Sequence, residues 1–96
     1  MNQKQIYETL KSLKDDVKQR YKADLKGIFG SFAGNEIKED SDIDIMVEFW
    51  TGATLLDLSG LGNFLEDKLK RKVDIVSQRA IREELKASIY KDMIYL

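Results

Sequence analysis

The chain has 96 residues, sixteen Lys or Arg against seventeen Asp or Glu, and no cysteine, histidine or proline. Without cysteine there is no disulfide framework, thiol nucleophile or zinc–thiolate site, and without histidine no Ser-His-Asp triad or imidazole base. Catalysis by such a chain rests on carboxylates, hydroxyls, Lys or Arg, backbone amides, or a hard metal held by oxygen ligands.

Ile6, Leu10, Leu13, Val17 and Tyr21 recur at steps of three and four, which predicts an amphipathic helix over about residues 3–22. Leu25 to Phe29, interrupted by Lys26 and Gly27, reads as a short buried strand that ends in a tight turn at Gly30-Ser31. In residues 42–49, Ile43, Ile45, Val47 and Phe49 alternate with Asp42, Asp44, Met46 and Glu48. One face of that strand is expected in the core and the other to carry carboxylates. Thr54 opens a second helix with Leu55, Leu58, Leu61, Leu65 and Leu69 on one side and Phe64 beside them. Gly60 and Gly62 inside it either permit close packing or mark a break. Val73 to Val76 is a third strand. A last helix is expected from about Ile81 to Lys91, with Ile81, Leu85, Ile89 and Met93 at steps of four, and Ile94 to Leu96 adds an edge strand or docks. No repeat or linker divides the chain, so residues 1–96 read as a single domain. The order of elements fits a two-layer α+β domain, a short mixed sheet with helices packed on one face.

Three features carry candidate chemistry. Gly30-Ser31 follows a strand and precedes a helical turn expected at Phe32-Ala33; it reads as an ordinary turn or as an anion pocket with Ser31 as cap or phosphate ligand. Asp42 and Asp44 project from one face of a strand, as a solvated edge or as a pair whose repulsion a divalent cation relieves, with Mg²⁺ or Mn²⁺ favoured by oxygen ligands. Asp74 is the one charge inside the apolar VDIV strand. It faces solvent near Lys70 and Lys72, or it joins Asp42 and Asp44 if the second and third strands are neighbours. The catalytic reading holds for the three features as a set: three carboxylates around one or two metals suit phosphoryl and nucleotidyl transfer.

Gly30-Ser31, ten intervening residues, then Asp42-x-Asp44 resembles the GS-x10-DxD signature of the polymerase-β-like nucleotidyltransferase superfamily. The surrounding IFGSFAGNEIKEDSDIDIMVEF, the downstream LLDLSGLGNFLEDKLKRKVDIV and the closing ELKASIYKDMIYL look like the minimal nucleotidyltransferase family, over nearly the whole chain from about Ile6. The resemblance implies a polymerase-β-like nucleotidyltransferase fold in which Gly30 and Ser31 hold the triphosphate of ATP. Asp42 and Asp44 would bind Mg²⁺, and Asp74 would complete the metal site and take the proton of the attacking hydroxyl. It further implies an antitoxin that transfers AMP to a tyrosine of a HEPN-domain RNase toxin, with which it would form a hetero-oligomer. The family commonly continues its motif as GS-x-A-R-G-E, whereas this chain reads GSFAGNE, with Gly34 in place of arginine and Asn35 in place of glycine. That departure keeps open a binding-only antitoxin that neutralises its partner by complex formation. A transferase acting on a small molecule is a third reading.

Other features read as structural. Lys68, Lys70, Arg71 and Lys72 sit at a helix C-terminus, where cations are stabilised. Ser59-Gly60-Leu61-Gly62 lacks the lysine of a phosphate loop. Trp50 is expected to pack on the core rather than stack on a base, and Glu48 to lie outside the site. The near-zero net charge fits a protein partner better than a nucleic-acid template. Ile89, Tyr90, Ile94 and Tyr95 are the expected partner surface. No apolar run approaches the ~18 residues of a membrane span, and the N-terminus has no signal-peptide core, so a cytoplasmic location is expected.

Overall fold

A computed structural model describes residues 2–30 and 42–96. Helix α1, Gln3–Tyr21, starts at a capping box in which the Gln5 amide donates to Asn2 Oδ1 at 2.8 Å and the Asn2 amide donates to Gln5 Oε1 at 2.9 Å. Two amides that a helix start leaves without partners are thus satisfied. Lys22 ends the helix in the left-handed region at φ +54°, which turns the chain straight into strand β1, Ala23–Phe29.

β1 pairs antiparallel with β2, Ile43–Phe49, and β2 pairs parallel with β3, Val73–Ser77. A parallel pair needs a crossover. Helix α2, Leu55–Leu69, supplies it, capped by Thr54, whose amide donates to Asp57 Oδ2 at 2.8 Å. A 3₁₀ turn, Gln78–Ala80, leads to helix α3, Glu83–Asp92, and then to β4, Ile94–Tyr95, which pairs antiparallel with β1. The sheet order is β3-β2-β1-β4.

The core lies between one face of this sheet and helices α1 and α2. Ile6, Leu10 and Val17 of α1 and Leu61, Leu65 and Leu69 of α2 bury against Ala23, Leu25, Ile28, Ile43, Ile45 and Val47. The α+β, mixed-sheet architecture expected from the sequence is present. The opposite face is only partly open. Met46 is fully buried on it, beside Gly27 and Met93, with Tyr90 of α3 lining the same small hollow.

Three local expectations are corrected. β1 begins at Ala23 rather than Leu25, and a bulge between Leu25 and Gly27 breaks its register. The apolar stripe of α2 buries only from Leu61 onward, because Leu55, in the first turn, lines an open hollow with Phe49 and Ile75 and is 80% exposed. The last helix starts at Glu83, and none of its residues is buried; Leu85 is 47% exposed, and of the expected stripe only Met93, past the helix end, is buried. Four-residue spacing marked a helix there but not a core face. Gly60 serves close packing: a Cβ on it would come within 2.8 Å of the Tyr21 ring, the last residue of α1.

Candidate active site

Strand register decides where the carboxylates go. In the parallel β2–β3 pair, Asp44 stands opposite Asp74 as Ile43 stands opposite Val73. Side chains at matched positions of neighbouring strands share a face, and alternate residues of one strand share it too. Ile43, Ile45 and Val73 bury in the core, so Asp42, Asp44 and Asp74 project from the other face, which α1 and α2 leave uncovered.

Asp44 is half-buried, whereas Asp42 and Asp74 are exposed. Burial pushes the Asp44 carboxyl above the ordinary carboxylate range; the charges of Asp74 and Asp42 and a hydrogen bond with Asp74 raise it further. Among the described residues no three carboxylates stand in ligating geometry. The structure therefore sets Asp44 and Asp74 side by side, with Asp42 in Coulombic reach, and stops short of a closed cage. As a donor set the trio fits a hard divalent cation: its atoms are all carboxylate oxygens, and their mutual repulsion favours a bound positive charge.

Gly30 completes the described part of the site. It ends β1 at φ +78°, a conformation that suits glycine, and its Cα faces the Asp44 carboxyl so closely that a Cβ would overlap Oδ2. β1 reaches this point because Phe29 is the register partner of Asp44. Ser31, the expected phosphate ligand, lies outside the described residues, as do Phe32-Ala33, Gly34 and Asn35. Glu48 pairs with Asp24 at the far end of the sheet, away from the carboxylates, as the sequence indicated.

Glu66 escaped sequence reasoning. From the penultimate turn of α2 its Oε2 accepts a hydrogen bond from the Val73 amide at 3.1 Å, and on the other side the Ile43 amide donates to the Lys72 carbonyl at 3.0 Å. The peptide unit joining Lys72 to Val73, just before Asp74, is thereby tied on both sides. The only sequence signal was an acid beside Leu65 on the inner side of α2. Trp50 was expected to pack; its indole instead donates to Asp24 Oδ2 at 2.8 Å while the ring stays 44% exposed.

The sequence matches the nucleotidyltransferase domain family over residues 10–96. A Methanocaldococcus jannaschii protein provisionally named protein adenylyltransferase MJ0126 is 41% identical over 93 residues, covering 96% of this chain and 95% of that protein. Protein adenylyltransferase MntA of Thermococcus cleftensis is 30% identical over 92 residues, covering 96% and 93%. Among solved structures, one provisionally described as a minimal nucleotidyltransferase superposes with a TM-score of 0.77 at 37% identity, over 100% of this chain and 97% of the other. A chain of a toxin–antitoxin crystal structure with AMP-PNP shares the fold, with a TM-score of 0.68 at 23% identity over 99% and 72%. The register that pairs Asp44 with Asp74 is thus set in a chain that belongs to the nucleotidyltransferase domain family and is a nucleotidyltransferase of the minimal kind.

Proposed function

We propose that this chain is a Mg²⁺-dependent protein adenylyltransferase antitoxin that transfers AMP from ATP to a tyrosine of a HEPN-domain toxin. The observation that carries the reading is the Asp44–Asp74 pair on an uncovered sheet face, with Asp42 beside it. The names of the relatives, protein adenylyltransferases, and a fold neighbour from a toxin–antitoxin complex with AMP-PNP support it.

In this reading Asp42, Asp44 and Asp74 would hold Mg²⁺ or Mn²⁺, which would offset the charge of the triphosphate. Gly30 lets the Asp44 carboxyl sit against the end of β1, and Gly30 and Ser31 would hold the triphosphate. The acceptor hydroxyl oxygen attacks the α-phosphorus, the bond to the β-phosphate oxygen breaks, and pyrophosphate leaves. Asp74, the more exposed of the paired carboxylates, takes the proton of the attacking hydroxyl.

Gly34, where the family motif commonly has arginine, favours a second reading, a binding-only antitoxin. One experiment separates the two. The chain is incubated with Mg²⁺, ATP and the product of the neighbouring gene, and both proteins are weighed by mass spectrometry. Gain of one or more AMP units by the partner, abolished in Asp42→Asn/Asp44→Asn, supports transfer. A tight complex with no mass gain, and full neutralisation by the double variant, supports binding alone.

A further inference from the structure

Charge is nearly balanced over the whole chain but unevenly spread. Lys11, Lys14 and Lys18 follow one another at three- and four-residue steps, which aligns them on one face of α1. That face borders a cleft of about 630 Å³ whose other wall is β1, with Lys26; Asp15 and Asp24 also line it, leaving an excess of two positive charges. Leu25 and Leu96 give it an apolar floor.

Two of the lysines are engaged. Lys18 reaches Asp24 at 3.5 Å and lies 5.4 Å from the centre of the Trp50 ring, and Lys11 lies 5.4 Å from that of Tyr7. Lys14 and Lys26 are each half-buried; Lys26 has the Asp24 charge in Coulombic reach, whereas Lys14 forms no ion pair among the described residues. With four lysines against two aspartates along its walls, the cleft is a favourable place for an incoming anionic group.

The details favour an acidic protein segment over a nucleic acid. Asp15 and Asp24 would repel a continuous phosphate backbone, whereas a peptide can place neutral or basic residues against them. Tyr7 and Trp50, the rings nearest the cleft lysines, each carry a lysine over one face, which leaves less ring surface for bases to stack on.

We propose that the cleft between α1 and β1 is a docking site for an acidic segment of the partner protein. This rests on the proposed function only for the existence of a protein partner. Asp24 lies near one end of β1 and Phe29, opposite Asp44, at the other, roughly 17 Å away at the rise of a strand. A partner held at the cleft therefore leaves the carboxylate face open to the acceptor and to ATP.

Trp50 is the sole tryptophan and sits beside Lys18, so its emission reports on the cleft. The chain is titrated with a decaglutamate peptide and, separately, with single-stranded oligoadenylate RNA. The expected result is a saturable change in Trp50 emission with decaglutamate. Lys14→Glu/Lys26→Glu weakens it about tenfold or more, as does a rise to about 0.5 M salt, and Asp44→Asn leaves it unchanged. Lys14→Gln/Lys26→Gln, with the fold checked by circular dichroism, replaces the reversal variant if that one unfolds. No saturable response to decaglutamate, an undiminished response in the folded lysine variants, or tighter binding of the RNA would overturn the proposal. The titration contains neither ATP nor an acceptor, so failure of adenylyl transfer does not affect its outcome.

Discussion

Asp44 and Asp74 stand side by side across β2 and β3, two acids held as register partners by the parallel pairing of their strands. Burial of Asp44 and the charges of Asp74 and Asp42 raise its pKa above the ordinary 3.8. The folded chain then holds that proton more tightly than the unfolded chain. Stability falls as pH rises from near 3.8 through the raised value, and stays reduced at neutral pH. Asp44→Asn removes the repulsion. Screening by water at this half-exposed site limits the gain to roughly 0.5 kcal/mol, or about 2–4 °C in Tm. Melting in EDTA at pH 7 should show the variant more stable than the native chain, with the difference gone near pH 3. A variant no more stable at pH 7 would count against the shared site.

Gly30 and Gly52 offer a matched pair. Both have positive φ, +78° and +95°, so alanine at either costs about 1–2 kcal/mol in backbone strain. A Cβ at Gly52 meets nothing within 4 Å, while one at Gly30 overlaps the Asp44 carboxyl. Gly52→Ala should therefore lose the stability of the strain alone, and Gly30→Ala at least as much. Adenylyl transfer to the partner should fall more than about tenfold only in Gly30→Ala, because Asp44 must move. Equal activities in the two variants would show that the Gly30–Asp44 approach has no catalytic weight.

What could be read from residues alone follows from how local each cause is. Alternation in residues 42–49 put Asp42 and Asp44 on one face, since side-chain period is a property of a single strand. Asp74 depended on β3 lying beside β2 in parallel, and on a register between segments some thirty residues apart. The leucine spacing of α2 predicted its inner face from Leu61 to Leu69 but not that Leu55, on the same side, lies over an open hollow beside Phe49 and Ile75. Glu66 and the link from Trp50 to Asp24 join residues seven and 26 positions apart, through contacts that no local pattern announces.

Exposure within the leucine stripe gives a direct check. Leu55 and Leu56 are 80% and 84% exposed, whereas Leu65 is fully buried. Leu65→Ala should cost about 2–5 kcal/mol in urea unfolding. Leu55→Gln/Leu56→Gln should stay within about 0.5 kcal/mol of the native chain. A large loss in the double variant would place those leucines in contacts that the fold does not show.

Trp50 and Asp24 make a pH-dependent link between the ends of β1 and β2. Burial alone would raise the Asp24 carboxyl, but the indole hydrogen bond, then Lys18 and Lys26, outweigh it and hold the pKa below 3.8. A lowered carboxylate contributes stability that is present above its unfolded pKa and lost as pH falls through the folded one. Trp50→Phe keeps the ring and removes the donor, so it should destabilise the chain at pH 7 by about 1 kcal/mol. The gap to the native chain should close below pH 3.8, where the native stabilisation is itself being lost.

Glu66 tests whether the site depends on residues that never touch substrate. Its Oε2 holds the Val73 amide, next to Asp74, at a partly buried position. Glu66→Ala leaves that amide without its partner, which costs about 1 kcal/mol, and loosens the strand start that presents Asp74. Adenylyl transfer should fall about tenfold, because small displacements of a reacting group are expensive. Glu66→Gln retains an acceptor oxygen at the same reach and should restore most of the activity. Equal losses in both variants would instead assign the effect to the charge of Glu66. Near-native activity in both would mean that the pairing of β3 with β2, through the Ile43 amide and the Lys72 carbonyl, positions Asp74 unaided.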